Sequence, residues 1–244
     1  MDNIIYRADR IVLMARYDDP KVHSHFAKHI LISDKPFLCK ANSQSRAAHS
    51  AIIQSNIPHY IERSESSRMI VFLIDETSKL SRAIDEIYLN EAAEVAIPLT
   101  LESRVIEKIS QGSSLEEIDN FVIRQLVGDR EMQYPASESR IIDAMQMIDE
   151  IESIDPHIYD LMAKEAFLSK SRFLHLFKEE TGMDLKNYLL IKKLEKTYYY
   201  VTEKHLNITD AAIKAGFSSA SHFSSACKKH YGISLSDFLK AQKK

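Results

Sequence analysis

The first 75 residues alternate short apolar runs with clusters of turn-forming residues. The runs are rich in Ile, Val, Leu, Phe and Tyr, and between them lie the polar stretches DDPK, SDKP, ANSQS, NIP and SESS. Several short strands at near-regular spacing are typical of a β-barrel or sandwich. The predicted strands are Ile11–Tyr17, His29–Ser33, Phe37–Ala41, Ser50–Gln54, His59–Arg63 and Met69–Asp75.

Beyond Asp75 the apolar period becomes helical, and two stripes predict a helical hairpin at about 100–127. Ser114 and Glu117 have the spacing of a capping box at the start of the second helix. The hairpin either covers one side of the barrel or pairs with a second subunit, and the pattern leaves both roles open. The stripes are Leu101, Val105, Ile106 and Ile109, then Leu115, Ile118, Phe121, Val122 and Leu126.

A polar segment at 128–139 contains Gly128 and Pro135 and is predicted to link two domains. The first domain is expected at 1–130 and the second at 137–244. The second should open with a helix whose apolar face is formed by Ile141, Ile142, Met145 and Ile148.

The second domain contains an internal repeat with an offset of fifty residues. Between 167 and 189, eight of 23 positions are identical to the position fifty residues later. A fixed offset indicates a duplicated supersecondary unit. The identical pairs are Phe167 and Phe217, Ser169 and Ser219, Ser171 and Ser221, Phe173 and Phe223, Lys178 and Lys228, Gly182 and Gly232, Leu185 and Leu235, and Leu189 and Leu239.

Each copy predicts a short helix, a tight turn and a second helix that ends at a glycine, which is the pattern of a helix-turn-helix. The units are expected at 158–181 and 208–231. In each, a serine caps the second helix, whose outward side chains should meet the major groove of DNA. The predicted DNA-binding residues are Ser169, Lys170, Ser171, Arg172, His175 and Lys178 in the first unit, and Ser219, Ala220, His222, Ser225 and Lys228 in the second.

Between the copies, apolar residues from Tyr188 to Val201 recur at three- and four-residue steps and predict one amphipathic helix of about nineteen residues. Its length of roughly 28 Å is close to the 34 Å between successive major grooves on one face of DNA. This helix can therefore place both reading helices on the same side of a duplex.

The charge of the chain is unevenly distributed. From Pro156 onward there are 15 Lys and Arg against 9 Asp and Glu, whereas the preceding residues hold 17 against 26. The part of the chain from Pro156 onward is therefore basic although the net charge of the whole chain is −3. Such asymmetry indicates that the basic part meets a polyanion.

Two segments now identify a family by resemblance. LSKSRFLHLFKEETG at 168–182 and TDAAIKAGFSSASHFSSACKKHYGISLSDFL at 209–239 resemble the DNA-binding domain of AraC-type (arabinose-regulator-like) transcription regulators. SESRIIDAMQMI at 137–148 resembles the helix that opens this domain. The resemblance implies a dimeric, DNA-binding regulator, more often an activator that contacts RNA polymerase than a repressor. The two isolated cysteines favour the reducing cytoplasm as its location.

The chain departs from the family pattern at several positions. Ser225 stands where an Arg is usual, Cys227 replaces a Phe, and Leu235 replaces a Pro. In the linker helix, Lys193 replaces an Arg and Thr197 an Ala. We therefore expect looser packing around Cys227 and a smaller share of sequence specificity for the second unit.

The N-terminal domain resembles the family's cupin-like barrel more weakly, through His23-x-His25 and IIQSNIPHYIE at 52–62. The resemblance implies dimerisation or binding of a small-molecule effector. We predict an effector pocket lined partly by His23, His25 and His59. These histidines could also converge on a metal, but Lys28 and His29 occupy the place of a cupin glutamate. Regulators of this type mostly have metal-free barrels, so no metal and no cofactor are predicted.

The predicted fold class is α+β: a cupin-like β-barrel with a helical hairpin, then an all-α domain of two helix-turn-helix units joined by a linker helix. No signal segment or membrane span is expected from the sequence. Cys39 and Cys227 do not have the number or spacing of a disulfide framework. The alternatives are a metal-dependent cupin enzyme with a DNA-binding tail, a repair alkyltransferase, and an architectural DNA-bending protein. The alkyltransferase needs a reactive cysteine in a recognisable setting, which is lacking, so no enzyme activity is predicted.

Overall fold

A computed structural model describes residues 3–7, 9–15, 19–41, 44–63, 67–128, 134 and 136–231. The chain forms two compact units. The first contains all the strands and the first three helices, and the second comprises residues 133–228. None of the described helices is long and apolar enough to cross a membrane.

The first unit is built on one antiparallel sheet of eight strands, in the order β1-β2-β7-β4-β5-β8, with β6 pairing both β3 and β4. The long strand β4 pairs with β7 through residues 28–33 and with β6 through residues 37–41. This exchange of partners folds the sheet over into the barrel-like form that the sequence predicts. The strands are β1 Asn3–Arg7, β2 Arg10–Ala15, β3 Asp19–His23, β4 Lys28–Ala41, β5 Gln44–Ile53, β6 His59–Arg63, β7 Met69–Ile74 and β8 Glu94–Val95.

Strands β1, β3 and β8 were not predicted, and two boundaries of the predicted strands differ in the structure. The stretch SDKP does not end a strand, because β4 continues through it with a register shift between Ile32 and Phe37. Residues 34–36 lie outside the ladders of β4 with β6 and β7, so Pro36 sits where these ladders require no N–H donor. β5 begins at Gln44, well before the predicted Ser50, since residues 44–48 pair with the second half of β4. Cross-strand pairing outweighs the weak strand propensity of that segment.

The alternation of side chains along the strands gives the sheet two buried faces. On the outer face, register aligns Val12, Phe72, Ile30 and Ile52, which pack against helices in one apolar core. On the inner face, the neighbouring row is Ile11, Leu73, His29 and Ile53, all fully buried. The outer face is covered by α1 Lys79–Ile84, which continues as a π-helical turn at Asp85–Leu89, by α2 Leu99–Gln111 and by α3 Leu115–Val127.

Helices α2 and α3 form the predicted hairpin, and the predicted capping box between Ser114 and Glu117 is present. Their apolar stripes, including Val105 and Val122, belong to the core beneath the sheet. Of the two roles left open, covering the sheet accounts for these stripes. The buried members of these stripes therefore face the sheet, whereas Ile106 and Phe121 are only half-buried.

A buried carboxylate anchors the hairpin to the sheet. Asp119 on α3 has a fully buried side chain and accepts hydrogen bonds from Arg10 on β2 at 2.7 and 3.0 Å. Arg7 on β1 lies 3.3 Å from the same carboxylate and 2.8 Å from Glu116. Sequence periodicity gave no sign of Asp119, which occupies a polar position inside an apolar stripe.

The second unit is all-helical. One apolar core joins α4, α5, α6 and the first half of α7, and it includes Met145, Met162, Phe177 and Tyr188. The helices are α4 Ser139–Glu150, α5 Ile158–Glu165, α6 Lys170–Thr181, α7 Leu185–Thr202, α8 Ile208–Ala215 and α9 Ala220–Tyr231. With the sheet of the first unit, this confirms the predicted α+β fold and both helix-turn-helix units.

Candidate nucleic-acid interface

The first helix-turn-helix consists of α5 and α6. The Ser169 side chain caps α6 by accepting a hydrogen bond from the backbone N–H of Arg172, and α6 ends at Gly182 in the left-handed conformation. Phe173 and Phe177 are fully buried on its inner face, together with Leu176, whereas Leu174 is only half-buried. The predicted DNA-binding residues are all exposed: Ser169, Lys170, Ser171, Arg172, His175 and Lys178.

The second helix-turn-helix repeats this arrangement with α8 and α9. Ser219 accepts a hydrogen bond from the backbone N–H of His222 at 3.1 Å, as a cap of α9. Ser219, His222, Ser225 and Lys228 are exposed, as predicted, but Ala220 is half-buried. Its methyl group therefore presents less surface than expected. The predicted stop at Gly232, and Leu235 and Leu239, lie outside the described residues.

The turns of the two copies are not equivalent, although Phe167 and Phe217 match in the sequence. Phe167 adopts the left-handed conformation with φ of 54° and is 92% exposed. In the second copy, Gly216 takes this conformation with φ of 101°, and Phe217 is only 3% exposed. The left-handed residue therefore lies one position earlier in the second copy. The two phenylalanines keep the offset of fifty residues, since α8 and α9 begin fifty residues after α5 and α6, but the turns expose one ring and bury the other.

The exposed face of α6 carries an acidic group that sequence reasoning missed. A Glu179 oxygen lies 3.0 Å from Nδ1 of His175 and 4.0 Å from the nearest nitrogen of Arg172. The i,i+4 spacing of His175 and Glu179 was the available signal. Lys170 pairs similarly with Asp160 on α5 at 3.0 Å. Three predicted donors are thus held near carboxylates, with which phosphate groups would compete.

Side chains of the linker helix α7 donate hydrogen bonds to backbone carbonyls at the ends of α8 and α4. Nζ of Lys193 donates to the carbonyl oxygen of Gly216 at 2.7 Å, at the end of α8. Burial lowers the pKa of this lysine. Lys196 donates to the carbonyl oxygen of Asp149 in the last turn of α4, and Tyr200 donates to that of Glu152 just after this helix. The lysine that replaces the usual family arginine therefore has a defined partner.

The replacement of the usual family phenylalanine by Cys227 is accompanied by a contact with Tyr198. Cys227 is fully buried, and its sulfur lies 3.0 Å from the hydroxyl of Tyr198 on α7. The Tyr198 ring also packs edge-on against Phe223. Burial raises the pKa of the Cys227 thiol to about 12. The expected looser packing at this site is therefore offset by a tyrosine from the linker helix.

In the first unit, four histidines lie together. Ring centroids are 4.4 Å apart for His23 and His59, 4.3 Å for His25 and His29, and 4.7 Å for His29 and His59. His25, His29 and His59 are buried, and His23 is half-buried. The three histidines predicted to line one pocket are thus brought together. The fourth, His29, joins them, whereas His49 instead approaches the carbonyl oxygen of Ser33 at 3.1 Å.

Adjacent residues on β4 serve different purposes because their side chains point to opposite faces. His29 joins the histidines on the inner face, where burial lowers its pKa well below the ordinary value. Lys28 points to the outer face, where its buried Nζ lies 2.8 Å from Asp85 and 3.3 Å from Glu76. Lys28 is therefore separate from the histidine cluster.

Comparison with known proteins finds relatives for the C-terminal part of the chain. Residues 162–241 match the family model described as a helix-turn-helix domain. The probable transcriptional regulator LumQ of Photobacterium leiognathi is 36% identical over 73 residues, which are 30% of this chain and 29% of that protein. The arabinose operon regulatory protein of Salmonella typhimurium is 25% identical over 133 residues, 54% of this chain and 47% of that protein. The chain spans less than half the length of these relatives.

The fold of the whole chain also has a counterpart among solved structures. ToxT from Vibrio cholerae aligns with a TM-score of 0.56 at 11% identity, over 99% of this chain and 97% of that chain. A structure of ToxT from the same organism with an unsaturated fatty acid bound aligns with a TM-score of 0.53 at 14% identity, over 95% and 93%. At this identity the likeness concerns the fold alone.

Proposed function

Because the chain carries an AraC-type helix-turn-helix domain, as its sequence predicts, we propose that it is a sequence-specific, DNA-binding transcription regulator. The observation that carries the proposal is the paired placement of α6 and α9. Each is capped by a serine and presents exposed polar side chains. These include Arg172 on α6 and the equivalent lysines Lys178 on α6 and Lys228 on α9. Helices of this kind enter the major groove, where donors read base edges and phosphates.

The linker helix supports simultaneous binding of both units. With 18 residues, α7 is about 27 Å long, which is close to the roughly 34 Å between successive major grooves on one face of B-DNA. The contacts of Lys193, Lys196 and Tyr200 tie it to the flanking elements. Double-stranded DNA is therefore the proposed partner, in the cytoplasm, where a bacterial chromosome lies.

The proposed protein is a regulator and not an enzyme. Both cysteines are buried, and burial raises the pKa of the Cys39 and Cys227 thiols to about 12. A thiol must ionise to act as a nucleophile, so neither residue suits an alkyltransferase. This argues against the alkyltransferase alternative.

We further propose that the first unit controls the regulator by binding a small-molecule effector and by forming a homodimer. The DNA-bound protein would contact RNA polymerase and act as an activator rather than as a repressor. The fatty acid in the ToxT structure supports an effector in a protein of this fold. The hairpin has apolar side chains that are only half-buried, including Ile106, Phe121 and Ile123. These side chains, rather than the core residue Val105, are the proposed dimer contact.

Selection of bound sequences from a random pool of double-stranded DNA tests the main proposal with the full chain. We expect one enriched motif whose two parts lie about one helical turn apart. Binding without enrichment of any sequence would instead indicate an architectural DNA-bending protein. A matched selection with Ser225→Arg, which adds a long donor to α9, should sharpen the motif under the second unit.

Size measurement in solution tests the dimer separately. We expect twice the chain mass for the unmodified protein and a monomer for Phe121→Glu. Glu107→Gln on α2 serves as the control, because Glu107 is an exposed residue of the hairpin. A monomeric unmodified protein at micromolar concentration would rule out the dimer and leave DNA binding untouched.

A further inference from the structure

The four clustered histidines come from three strands and one connection. His23 ends β3, His25 lies in the connection that follows, His29 is near the start of β4, and His59 opens β6. Pairing of β3 with β6 sets His23 opposite His59. Alternation along β4 turns His29 to the same inner face. The cluster is therefore a product of the sheet topology.

We propose that this cluster binds one divalent first-row transition metal ion, with His23, His25 and His59 as ligands and His29 as a fourth. The three can each offer a ring nitrogen such that all three nitrogens lie within 4.8 Å of one another. Two imidazole nitrogens bound to one tetrahedral zinc ion at about 2.0–2.1 Å lie about 3.4 Å apart. A contraction of at most about 1.5 Å brings the set to bonding distance.

A hydrogen bond prepares His59 for this role. Its Nδ1 lies 2.8 Å from the carbonyl oxygen of Ile57. Since a carbonyl oxygen only accepts, Nδ1 carries the proton and Nε2 keeps its lone pair. Histidines that bind metals almost always donate their other ring N–H to such a partner, which fixes the tautomer and the orientation of the ring.

The donor set selects a class of metal. Imidazole suits zinc, copper, iron and nickel, whereas magnesium and calcium prefer oxygen ligands. Among the described residues, the converging group consists of histidines without a carboxylate or thiolate. We therefore expect binding of Zn²⁺ and Ni²⁺ and no competition from Mg²⁺ or Ca²⁺. None of the four histidines belongs to α6 or α9.

Equilibrium dialysis of the full chain against Zn²⁺ or Ni²⁺, with metal content measured by mass spectrometry, tests the proposal without DNA. We expect one ion per chain. His25→Gln and His59→Gln should each weaken binding at least about 100-fold, because loss of even an outer-shell partner costs about 10–100-fold. His49→Gln, a histidine on the neighbouring strand β5 outside the cluster, should bind like the unmodified protein. No stoichiometric binding, or equal binding by all variants, would overturn the proposal.

A second variant avoids the risk that loss of a buried histidine unfolds the protein. His23 is half-buried, and His23→Cys keeps a ligand at its position. With Co²⁺ bound, the unmodified protein should show ligand-field absorption, and His23→Cys should add a sulfur-to-cobalt charge-transfer band. Only a side chain that touches the metal produces this band. Its absence from a folded, cobalt-loaded variant would show that His23 is not a ligand and that the proposed site is wrong.

Discussion

Nζ of Lys193 and the carbonyl oxygen of Gly216 are 2.7 Å apart, and this hydrogen bond joins the linker helix to the turn of the second helix-turn-helix. The carbonyl belongs to the residue that ends α8, where backbone acceptors lack intrahelical donors. The contact therefore satisfies an acceptor at a helix end and sets the position of α8 against α7.

Lys193→Met should remove this bond and lower the free energy of unfolding by about 1–3 kcal/mol, since hydrogen bonds to charged groups contribute about that much. Lys193→Arg should restore most of the loss. Lys186→Met, an exposed lysine near the start of the same helix, is the control and should change little. Denaturant unfolding measures all three, and equal stability of Lys193→Met and Lys186→Met would contradict the assigned role.

Gly216 and Gly182 form a matched pair for a test of close packing. Both have positive φ, but a Cβ on Gly216 would lie 2.1 Å from the carbonyl oxygen of Ile154, whereas one on Gly182 would meet nothing within 4 Å. Gly182→Ala should cost about 1–2 kcal/mol through backbone strain alone. Gly216→Ala should cost at least about 2 kcal/mol more, because backbone must move. Similar losses in thermal unfolding would disprove the steric argument.

Asp119→Asn should destabilise the first unit strongly. The substitution leaves the guanidinium groups of Arg7 and Arg10 without the charge of a fully buried partner. Breaking such a buried pair costs about 3–5 kcal/mol. Glu116→Gln removes the exposed partner of Arg7 and should cost less than about 1 kcal/mol. Unfolding by urea compares the two, and comparable effects would mean that burial of Asp119 is not what matters.

The two reading helices should contribute unequally to DNA recognition. Arg172→Ala should relax base preference at one or two positions, since an arginine paired with guanine discriminates by about 1–3 kcal/mol. Lys228→Ala should weaken binding to all sequences alike and reduce the salt dependence by about one unit. Fluorescence anisotropy with the selected site and with altered sites at several salt concentrations measures both. Relaxed preference confined to Lys228→Ala would reverse the assignment.

The stability of the protein should fall in mild acid because of His230. Burial lowers the pKa of this histidine from 6.5 to about 4, so the unfolded chain binds a proton at higher pH than the folded protein does. The contribution of His230 is therefore fully present above pH 6.5 and is lost as the pH falls toward 4, by up to about 3 kcal/mol. His230→Gln should unfold with a smaller pH dependence across this window. An unchanged dependence in denaturant titrations would contradict the assignment.

The second unit could be predicted from the sequence almost residue by residue. Its two serine caps, its helix bounds and the buried faces of α6 and α9 follow from local rules, namely capping and a helical period of 3.6 residues. The internal repeat predicted the order of the helices and turns in the two helix-turn-helix units. The local pattern did not predict the turns. Phe167 and Phe217 are identical in the repeat, but the residue with left-handed backbone conformation is Phe167 in the first copy and Gly216, one position earlier, in the second.

In the first unit, the sequence determined that strands and an amphipathic hairpin exist, and tertiary structure decided what they contact. The stripes of α2 and α3 read equally well as a cover for the sheet or as a dimer surface, because periodicity shows which face is apolar and not what it meets. The histidines are similar: the chain places His23, His25, His29 and His59 within forty residues, but only the pairing of β3 with β6 and the alternation along β4 bring His59 and His29 to them. Such contacts depend on strand register, which a single sequence leaves open because non-local pairing is set by the packing of the whole sheet.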